Sequence, residues 1–357
     1  MVRFTVLASG SKGNSSVLTC GPNPGGAGNS ESTTRILIDA GLSCRELFRR
    51  MALVGEDPRT LDAILITHEH EDHIHGLAVT ARKLGIPVYI TGGTYQAWLR
   101  QVNPQKRISY AQWAEQYRRE KAATGSPRGQ SHPDTPVESD DPGGEGFVKG
   151  HDFSRAANAT EENGASALAA VAEPESDCAA ESPAAPPDPA RLPEVKFFRA
   201  GQPFSIGGLS ISPFTIPHDA ADPVGFVFTA EGVRVAVATD LGYMPPNVQA
   251  QLRRCDLIML ESNHDLEMLR DGPYPWSVKQ RVLSRVGHLS NDATADFLEG
   301  TYDGNATYLI LAHLSESNNL PELARLAAER ALCGKPSLLA NRLLLASQHE
   351  PLDSVCF

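Results

Sequence analysis

Residues 65–76, LITHEHEDHIHG, place four histidines and three acidic residues in twelve positions, directly after an apolar run. Histidine supplies only 11 of the 357 residues, so chance is a poor explanation for this density. A solvated charged turn is the ordinary alternative, but such a turn has no reason to use imidazole in place of Lys or Glu. Imidazole nitrogens and carboxylate oxygens are the ligands of Zn²⁺ and similar divalent ions. The stretch therefore predicts a metal site.

The spacing within this stretch predicts two ions, of zinc or manganese. A tight loop can direct His68 and His70 to one ion while Asp72 and His73 face the other. His75 follows on the same predicted helix, and we interpret it as a hydrogen-bonding residue outside the ligand set.

Around this stretch the chain alternates short β-like runs with helical periodicity, which predicts an α/β fold. The predicted strands are Phe4–Ala8, Ser16–Thr19, Ile36–Asp39, Ala63–Thr67, Val88–Thr91, Leu209–Thr215, Gly225–Thr229, Val233–Thr239, Leu257–Leu260, Tyr308–Ala312 and Arg342–Ala346. The predicted helices are His73–Leu84, Thr94–Gln101, Pro246–Arg253, Ser277–Val286, Asn291–Thr301 and Pro321–Leu332.

Five of these strands end in a polar residue that can bind a ligand. These residues are Asp39, His68, Asp240, Glu261 and His313. In a layered α/β protein, rigid apolar strands aim the residues that follow them, so sites are assembled at strand ends.

Composition indicates a globular chain with one long irregular insertion. The net charge is −11, but residues 121–190 alone hold four Lys/Arg and thirteen Asp/Glu, with few large apolar side chains. Such a segment cannot bury enough surface to offset its ordering entropy. We therefore predict one domain made of residues 1–102 and 195–357, interrupted by a mostly disordered, acidic, Ala/Pro/Gly-rich insertion at 103–194. The Gly-rich stretch 21–33 is interpreted as an elongated hairpin loop.

Other features favour a cytoplasmic protein that does not contact membranes. No apolar run approaches the ~18 residues of a membrane span, and the N-terminus has no signal-peptide layout. The six cysteines are scattered without a CxxC pair, which is typical of reduced thiols.

The stretch THEHEDHIHG resembles the HxHxDH signature of the metallo-β-lactamase superfamily. Further blocks resemble the remaining parts of that pattern in order. They are Asp39 in LIDAG, which resembles the acid that supports the ligand loop, His218 in TIPHDA, Asp240 in ATDLGY and His313 in LAHLSE. The resemblance covers residues 1–102 and 195–357 and implies a four-layer αβ/βα sandwich.

His288 in GHLSNDATADF is similar to an additional catalytic histidine of the phosphodiesterase branch of that superfamily. Together with ASGSKGNSS, NHDLEML and YPWSVKQR, this block resembles the YycJ/WalJ-type proteins. That resemblance implies a nuclease with 5′-to-3′ exonuclease action on DNA, rather than RNA, and a role in DNA repair.

The resemblance also implies a role for each matching residue. His68, His70 and His218 would hold one ion, while Asp72, His73 and His313 hold the other and Asp240 bridges them. Two such ions share and acidify a water and stabilise charge on both oxygens of a phosphodiester displacement. The catalytic candidates are Asp72 and His288. Ser11, Lys12 and Asn14 are candidates for substrate contact through phosphate, or part of an ordinary turn between strands. His264 is a candidate for substrate contact or for a structural hydrogen bond.

Alternatives remain open at this point. The same metal centre could serve a hydrolase of small esters, thioesters or lactams, or a metal-bound interaction module without catalysis. Outside residues 121–190 the chain is near neutral, without the basic excess of a strong DNA binder. Lys279 and Arg281 are DNA-backbone contacts in the nuclease interpretation and a solvated helix face otherwise. The sequence predicts no oligomeric state.

Overall fold

Two mixed β-sheets form the centre of the described chain. The computed structural model describes residues 1–21, 33–103, 115, 190–333 and 342–357. The strands are β1 (Val2–Ala8), β2 (Ser15–Cys20), β3 (Thr34–Ile38), β4 (Ala63–Leu65), β5 (Val88–Thr91), β6 (Val195–Phe198), β7 (Phe204–Ile206), β8 (Leu209–Thr215), β9 (Val224–Ala230), β10 (Val233–Ala238), β11 (Leu257–Glu261), β12 (Tyr308–Ala312), β13 (Arg342–Leu345) and β14 (Val355–Cys356).

Each sheet has seven strands and six strand pairings, three antiparallel and three parallel. The first sheet has the order β14-β1-β2-β3-β4-β5-β6, and its parallel part runs from β3 to β6. The second has the order β13-β12-β11-β10-β9-β8-β7, and its parallel part runs from β10 to β13. The carboxyl ends of neighbouring parallel strands lie at the same edge of a sheet. The residues that follow the central strands of each sheet therefore lie close together at that edge.

Helices pack on the outer face of both sheets or lie in the loops that connect their strands. They are α1 (Cys44–Leu53), α2 (Glu71–Ile74), α3 (Leu77–Leu84), α4 (Gly92–Val102), α5 (Pro246–Leu252), α6 (Leu266–Asp271), α7 (Trp276–Val282), α8 (Asn291–Gly300) and α9 (Pro321–Leu332), with a 3₁₀ turn at Pro58–Thr60. Several begin at a side-chain cap: the hydroxyl of Ser290, for example, accepts a hydrogen bond from the amide of Ala293 at the start of α8. In the described residues no helix is both long and apolar enough to cross a bilayer.

Three apolar clusters hold these layers together. The central cluster lies between the two sheets and joins side chains such as Phe4 of β1 to Phe226 of β9. The outer clusters seal each sheet to its helices, with Trp98 of α4 on one side and Phe297 of α8 on the other. The order of layers is helix, sheet, sheet, helix, which is the four-layer α/β sandwich predicted from the sequence.

The prediction of one long helix over His73–Leu84 is wrong, because the chain forms two shorter helices there, α2 and α3. The break lies at Gly76, whose amide donates to the carbonyl of Ala40 rather than continuing the helix. A Cβ at Gly76 would lie 2.0 Å from the carbonyl oxygen of Leu42, so the two loops approach too closely for any other residue. The predicted helix Ser277–Val286 also ends early, at Val282.

Several elements were not predicted. They are α1, α6, β6, β7 and β14. Most of the predicted 103–194 insertion, with His132 and His151, and most of the predicted 21–33 hairpin loop lie outside the described residues. Residues 1–105 and 187–357 form one compact unit; the second unit, residues 106–186, is described only at residue 115.

Candidate metal centre

Three residues of the candidate site adopt left-handed backbone conformations directly beyond strand ends. Asp39 after β3, Asp240 after β10 and His313 after β12 have φ angles of 58°, 63° and 57°. Non-glycine residues rarely adopt such angles, and they persist where surrounding structure fixes them. The turned backbone carries the side chain away from the strand, and all three side chains lie in one buried cluster.

The loop between β4 and α2 brings the first histidines to the same place. The ring centroids of His68 and His73 are 4.1 Å apart, and those of His68 and His70 are 4.7 Å apart. Gly41, after β3, packs against this loop so closely that a Cβ there would lie 1.6 Å from the carbonyl oxygen of Asp72. Only glycine allows this contact, which fixes the loop against the first sheet.

Two histidines are oriented by buried carboxylates. Nδ1 of His73 is 2.8 Å from Oδ2 of Asp39, and Nδ1 of His313 is 2.9 Å from Oε1 of Glu261. In both rings Nε2 faces Asp72, at 3.4 Å from its Oδ2. A carboxylate on one ring nitrogen fixes the tautomer and presents the other nitrogen as a ligand.

Two further histidines are held by neutral acceptors. Nδ1 of His68 is 3.0 Å from the hydroxyl of Thr67, and Nδ1 of His218 is 3.1 Å from the carbonyl oxygen of Gly287. Nε2 of His218 lies only 3.1 Å from Nδ1 of His70. Two ring nitrogens at this distance suit a shared cation, which attracts the lone pair of each.

Potential ligand atoms form overlapping groups, in each of which they lie within 4.8 Å of one another. The groups are His68, His70 and His218; His68, His73 and Asp240; Asp72, His73 and His313; and Asp240, Glu261, His288 and His313. All seven residues predicted as metal ligands therefore converge. Asp240 lies in the middle, with its carboxylate 3.5 Å from His73 and 3.6 Å from His313.

Unpaired buried atoms fit a cation at this centre. Nε2 of His68 and Oδ2 of Asp240 are buried, and neither has a hydrogen-bond partner in the part of the chain that the structure describes. Unpaired polar atoms in a protein interior are costly, and a divalent ion would satisfy a ring nitrogen and a carboxylate oxygen together. The residues present therefore fit the metal that the resemblance implies.

The ionisable groups are strongly shifted. Burial lowers the pKa of His68 well below its usual value, with neighbouring His73 acting in the same direction. Burial also lowers the pKa of His218, to about 4, against the attraction of Asp240. Burial alone would raise the pKa of Asp240, but the nearby His313 and His73 hold it well below its usual range. Burial alone would lower the pKa of His73 and His313, but the carboxylates around them, Asp240 first, raise both well above the usual value. His68 and His218 are therefore neutral beside ionised carboxylates, the forms that bind metals, whereas His73 and His313 would release a proton on binding one.

Glu261 is a component of the site that the sequence reasoning noted only as a strand-end acid. It is fully buried, and its Oε1 lies 2.8 Å from Nδ1 of His288 as well as beside His313. Its Oε2 accepts hydrogen bonds from the amides of Leu241 and Leu289. Burial would raise the pKa of Glu261, but His288 outweighs it and lowers that pKa to about 2. The sequence signal that could have identified Glu261 is its position at the end of β11, because other strands carry their ligands at the same end.

The predicted substrate contacts are spread over different environments. Asn14 lies in the cluster, with Nδ2 2.9 Å from Oδ2 of Asp72. Ser11 and Lys12 are exposed, and the ammonium of Lys12 lies 2.6 Å from the carboxylate of Glu316. His264 is buried, and neither ring nitrogen has a hydrogen-bond partner among the described residues.

Asp219 and Arg281 form an ion pair beside the centre. Oδ1 of Asp219 is 3.6 Å from Nε2 of His70 and 3.5 Å from Nε2 of His218, while its other oxygen accepts from Nε of Arg281. Asp219 was not predicted, although it directly follows His218 in the chain. His75, by contrast, is exposed and pairs with Glu71.

Comparison with protein families gives one match that covers most of the chain. The sequence model of a family described as the β-lactamase superfamily domain matches residues 34–137 and 160–314. Two relatives are exodeoxyribonucleases by name. WalJ of Streptococcus pneumoniae serotype 2 is 28% identical over 324 residues, which cover 91% of this chain and 86% of WalJ. YycJ of Bacillus anthracis is 28% identical over 334 residues, which cover 93% of this chain and 89% of YycJ.

Two crystal structures share the fold at low sequence identity. The metallo-β-lactamase fold protein YhfI from Bacillus subtilis aligns with a TM-score of 0.51 and 12% identity, covering 99% of this chain and all of YhfI. Zn²⁺-bound PqqB from Methylobacterium extorquens aligns with a TM-score of 0.51 and 14% identity, covering 98% of this chain and 99% of PqqB. At this identity the likenesses bear on the fold alone.

Proposed function

Because the chain belongs to the β-lactamase superfamily, we propose that it is a metal-dependent phosphodiesterase that degrades DNA as a 5′-to-3′ exonuclease. The observation that carries this proposal is the pairing of His288 with Glu261 beside the metal-ligand cluster. The names of the two bacterial relatives, which align over nearly their whole length, support DNA as the substrate and DNA repair as the setting.

We assign the ligands to two divalent ions, of zinc or manganese. His68, His70 and His218 would hold one, and Asp72, His73 and His313 would hold the other, with Asp240 between them; each set matches a group of converging atoms. Glu261 is left out of both sets because its two oxygens already accept hydrogen bonds from two rings and two amides. Its role is to position His288 and His313.

Divalent ions at such a centre supply Lewis acidity toward a phosphodiester and allow water to act as the nucleophile at neutral pH. The chain supplies the proton transfer. Nδ1 of His288 is engaged by Glu261, which leaves Nε2 to hold or release a proton, and the His288 side chain is 20% exposed. Nε2 can therefore reach a departing oxygen and protonate it.

The test uses purified protein and DNA labelled at either the 5′ or the 3′ end, with Mn²⁺, Zn²⁺ or a chelator. We expect metal-dependent release of mononucleotides from the 5′ end. Asp72→Ala should abolish the activity because it removes a ligand, and His288→Ala should abolish it because it removes the proton donor. His75→Ala is the matched control, since His75 lies in the same motif but is exposed and should change little.

Circular dichroism spectra should be unchanged in all three variants, which separates loss of chemistry from loss of fold. Full nuclease activity in both Asp72→Ala and His288→Ala would remove the proposed mechanism. Equal release of label from both ends would replace the exonuclease proposal by an endonuclease.

A further inference from the structure

Residues 273–288, PYPWSVKQRVLSRVGH, end in the proposed proton donor His288, and the residues before it have no role in the proposed proton transfer. The segment carries three Lys/Arg and no Asp or Glu, although the whole chain is acidic. Four of the ten large hydrophobic side chains that are exposed in the described residues also lie in it. They are Trp276 (65% exposed), Leu283 (50%), Val286 (43%) and Val278 (36%). Of the three cations, Lys279 is buried and donates to the carbonyl of Arg270, while Arg281 and Arg285 are exposed. Two guanidinium groups and four apolar side chains are thus exposed on residues 273–288, which we call the 273–288 segment.

The 273–288 segment is fixed to the metal centre at three points. Arg281 pairs with Asp219, whose other oxygen lies beside His70 and His218. The carbonyl oxygen of Gly287 accepts from Nδ1 of His218. A Cβ on Gly242, two residues after Asp240, would lie 2.2 Å from the carbonyl oxygen of Arg285, so the backbones are in close contact. The segment is therefore part of the rim of the site.

Trp276 lies a short distance from this junction. It begins α7, and Arg281 is five residues further along the same helix, which corresponds to about 7–8 Å along the helix axis. Nearby, the guanidinium of Arg285 lies 4.3 Å from the centre of the Tyr243 ring. Trp276 therefore presents an exposed indole on the same helix as the residue that pairs with Asp219 at the metal centre.

We propose that Trp276 stacks on an unpaired nucleobase of the DNA strand whose backbone enters the metal centre; this inference rests on the proposed nuclease function. Aromatic side chains next to cations are the usual platform for single-stranded nucleic acid, because every base presents a π-face. Outside residues 121–190 the chain is near neutral, so it has little excess positive charge for binding phosphates. Stacking on a base would therefore supply a larger share of the affinity for DNA. A protein partner is less well matched, because the surface leads directly into the ligand cluster.

Binding of a short single-stranded oligonucleotide to the full chain, measured by fluorescence anisotropy with chelator present, tests this inference. Trp276→Ala should raise the Kd on the order of tenfold, the range found when a stacking aromatic is removed. Trp276→Phe should restore most of the affinity because it keeps an aromatic face. Leu53→Ala is the matched control, since Leu53 is 62% exposed at the end of α1, and it should bind as the wild type does.

Oligonucleotides with a single abasic position separate stacking from a structural effect. Removing the base at one position should weaken binding to the wild type by a similar factor and leave Trp276→Ala unaffected, because the variant already lacks the indole on which that base would stack. Wild-type affinity in Trp276→Ala would overturn the inference, as would equal sensitivity of both proteins to every abasic position. A change in oligomeric mass in Trp276→Ala without a change in Kd would assign the surface to a second copy of the chain.

Hydrolysis of bis(p-nitrophenyl) phosphate by the wild type is measured in parallel, because this phosphodiester carries no nucleobase. If the wild type hydrolyses this compound and Trp276→Ala binds DNA as tightly as the wild type does, the stacking role is wrong and the proposed function stands. A wild type that cleaves neither this compound nor DNA with any divalent ion would overturn the proposed function, and this inference with it.

Discussion

Glu261 contacts both the proposed proton donor and one of the proposed metal ligands. Its Oε1 lies within hydrogen-bond distance of His288 and of His313, and its Oε2 accepts from two backbone amides. A fully buried carboxylate is retained only where its charge is compensated in this way. Its position makes the orientation of the two rings interdependent.

We expect Glu261→Gln to lower kcat on the order of a hundredfold, the effect typical of a disabled general acid. The amide has nearly the same shape, but it carries no charge and its nitrogen can only donate, so it holds the His288 ring less firmly. Steady-state cleavage of end-labelled DNA measures this. Glu329→Gln, on the exposed surface of α9, should be silent. A Glu261→Gln protein with wild-type kcat would show that His288 acts without this carboxylate.

Asp39 gives a second prediction at the scale of one residue. It bonds Nδ1 of His73 and both the amide and the hydroxyl of Thr67. Asp39→Asn should weaken zinc binding roughly 10- to 100-fold, as the loss of such supporting carboxylates does. Asn tolerates the left-handed φ of this position, so the backbone should stay in place. Competition with a chromogenic chelator measures the affinity, and Asp62→Asn, which keeps the cluster intact, is the control. Equal zinc affinity in the two variants would contradict this role.

At the scale of single residues, the local motif identified four of the seven clustered ligand candidates, and the resemblance of later blocks to the family pattern added His218, Asp240 and His313. The HxHxDH pattern is local, so its four residues are visible in one short stretch. Glu261 and Asp219 were missed as site components because their roles depend on which side chains meet across the two sheets, and no local pattern reports that.

At the scale of elements, most central strands were predicted because they are short apolar runs bounded by turns. β14 was missed since two residues carry no periodicity, and it exists only through pairing with β1. α1 had a readable signal: Ser43 caps the helix, Glu46 follows three residues later, and Leu47 and Met51 are buried one turn apart. The break between α2 and α3 could not be predicted, because it is imposed by contact with the loop after β3.

The turn between β11 and α6 yields a prediction about pH. His264 is buried there, and burial lowers its pKa to about 4. Below pH 6.5 His264 is protonated in the unfolded chain but stays neutral in the folded chain. The free energy of unfolding therefore decreases as the pH falls from 6.5 towards 4. Between pH 7 and pH 5 the loss is about 2 kcal/mol.

Urea unfolding of the metal-free protein at the two pH values measures this loss. His264→Gln should lose about 2 kcal/mol less than the wild type over the same interval, since glutamine does not titrate. His75→Gln, which changes an exposed histidine, should follow the wild type. An identical pH dependence in His264→Gln and the wild type would mean that His264 takes up its proton as readily in the folded as in the unfolded chain.

At the scale of the whole molecule, the family and the four-layer α/β fold predicted from the sequence are confirmed by the family match and by the sheet order. The ligand motif predicts the whole fold because its residues can meet only if strands of both sheets end at the same edge. Ligands 245 residues apart in the chain, His68 and His313, meet there. In the described residues, the ligand groups all come from the two sheets and their loops.

The central claim is that these distant segments hold two divalent ions. Its most direct test is the zinc content of the protein, measured by elemental analysis after loading and exhaustive dialysis. We predict about two ions per wild-type chain, the same content in the control Asp292→Ala, and less than half of it in Asp240→Ala, which removes the carboxylate between the two ligand sets. A wild-type chain that retains no zinc, or an Asp240→Ala chain that retains as much as the wild type, would contradict the claim.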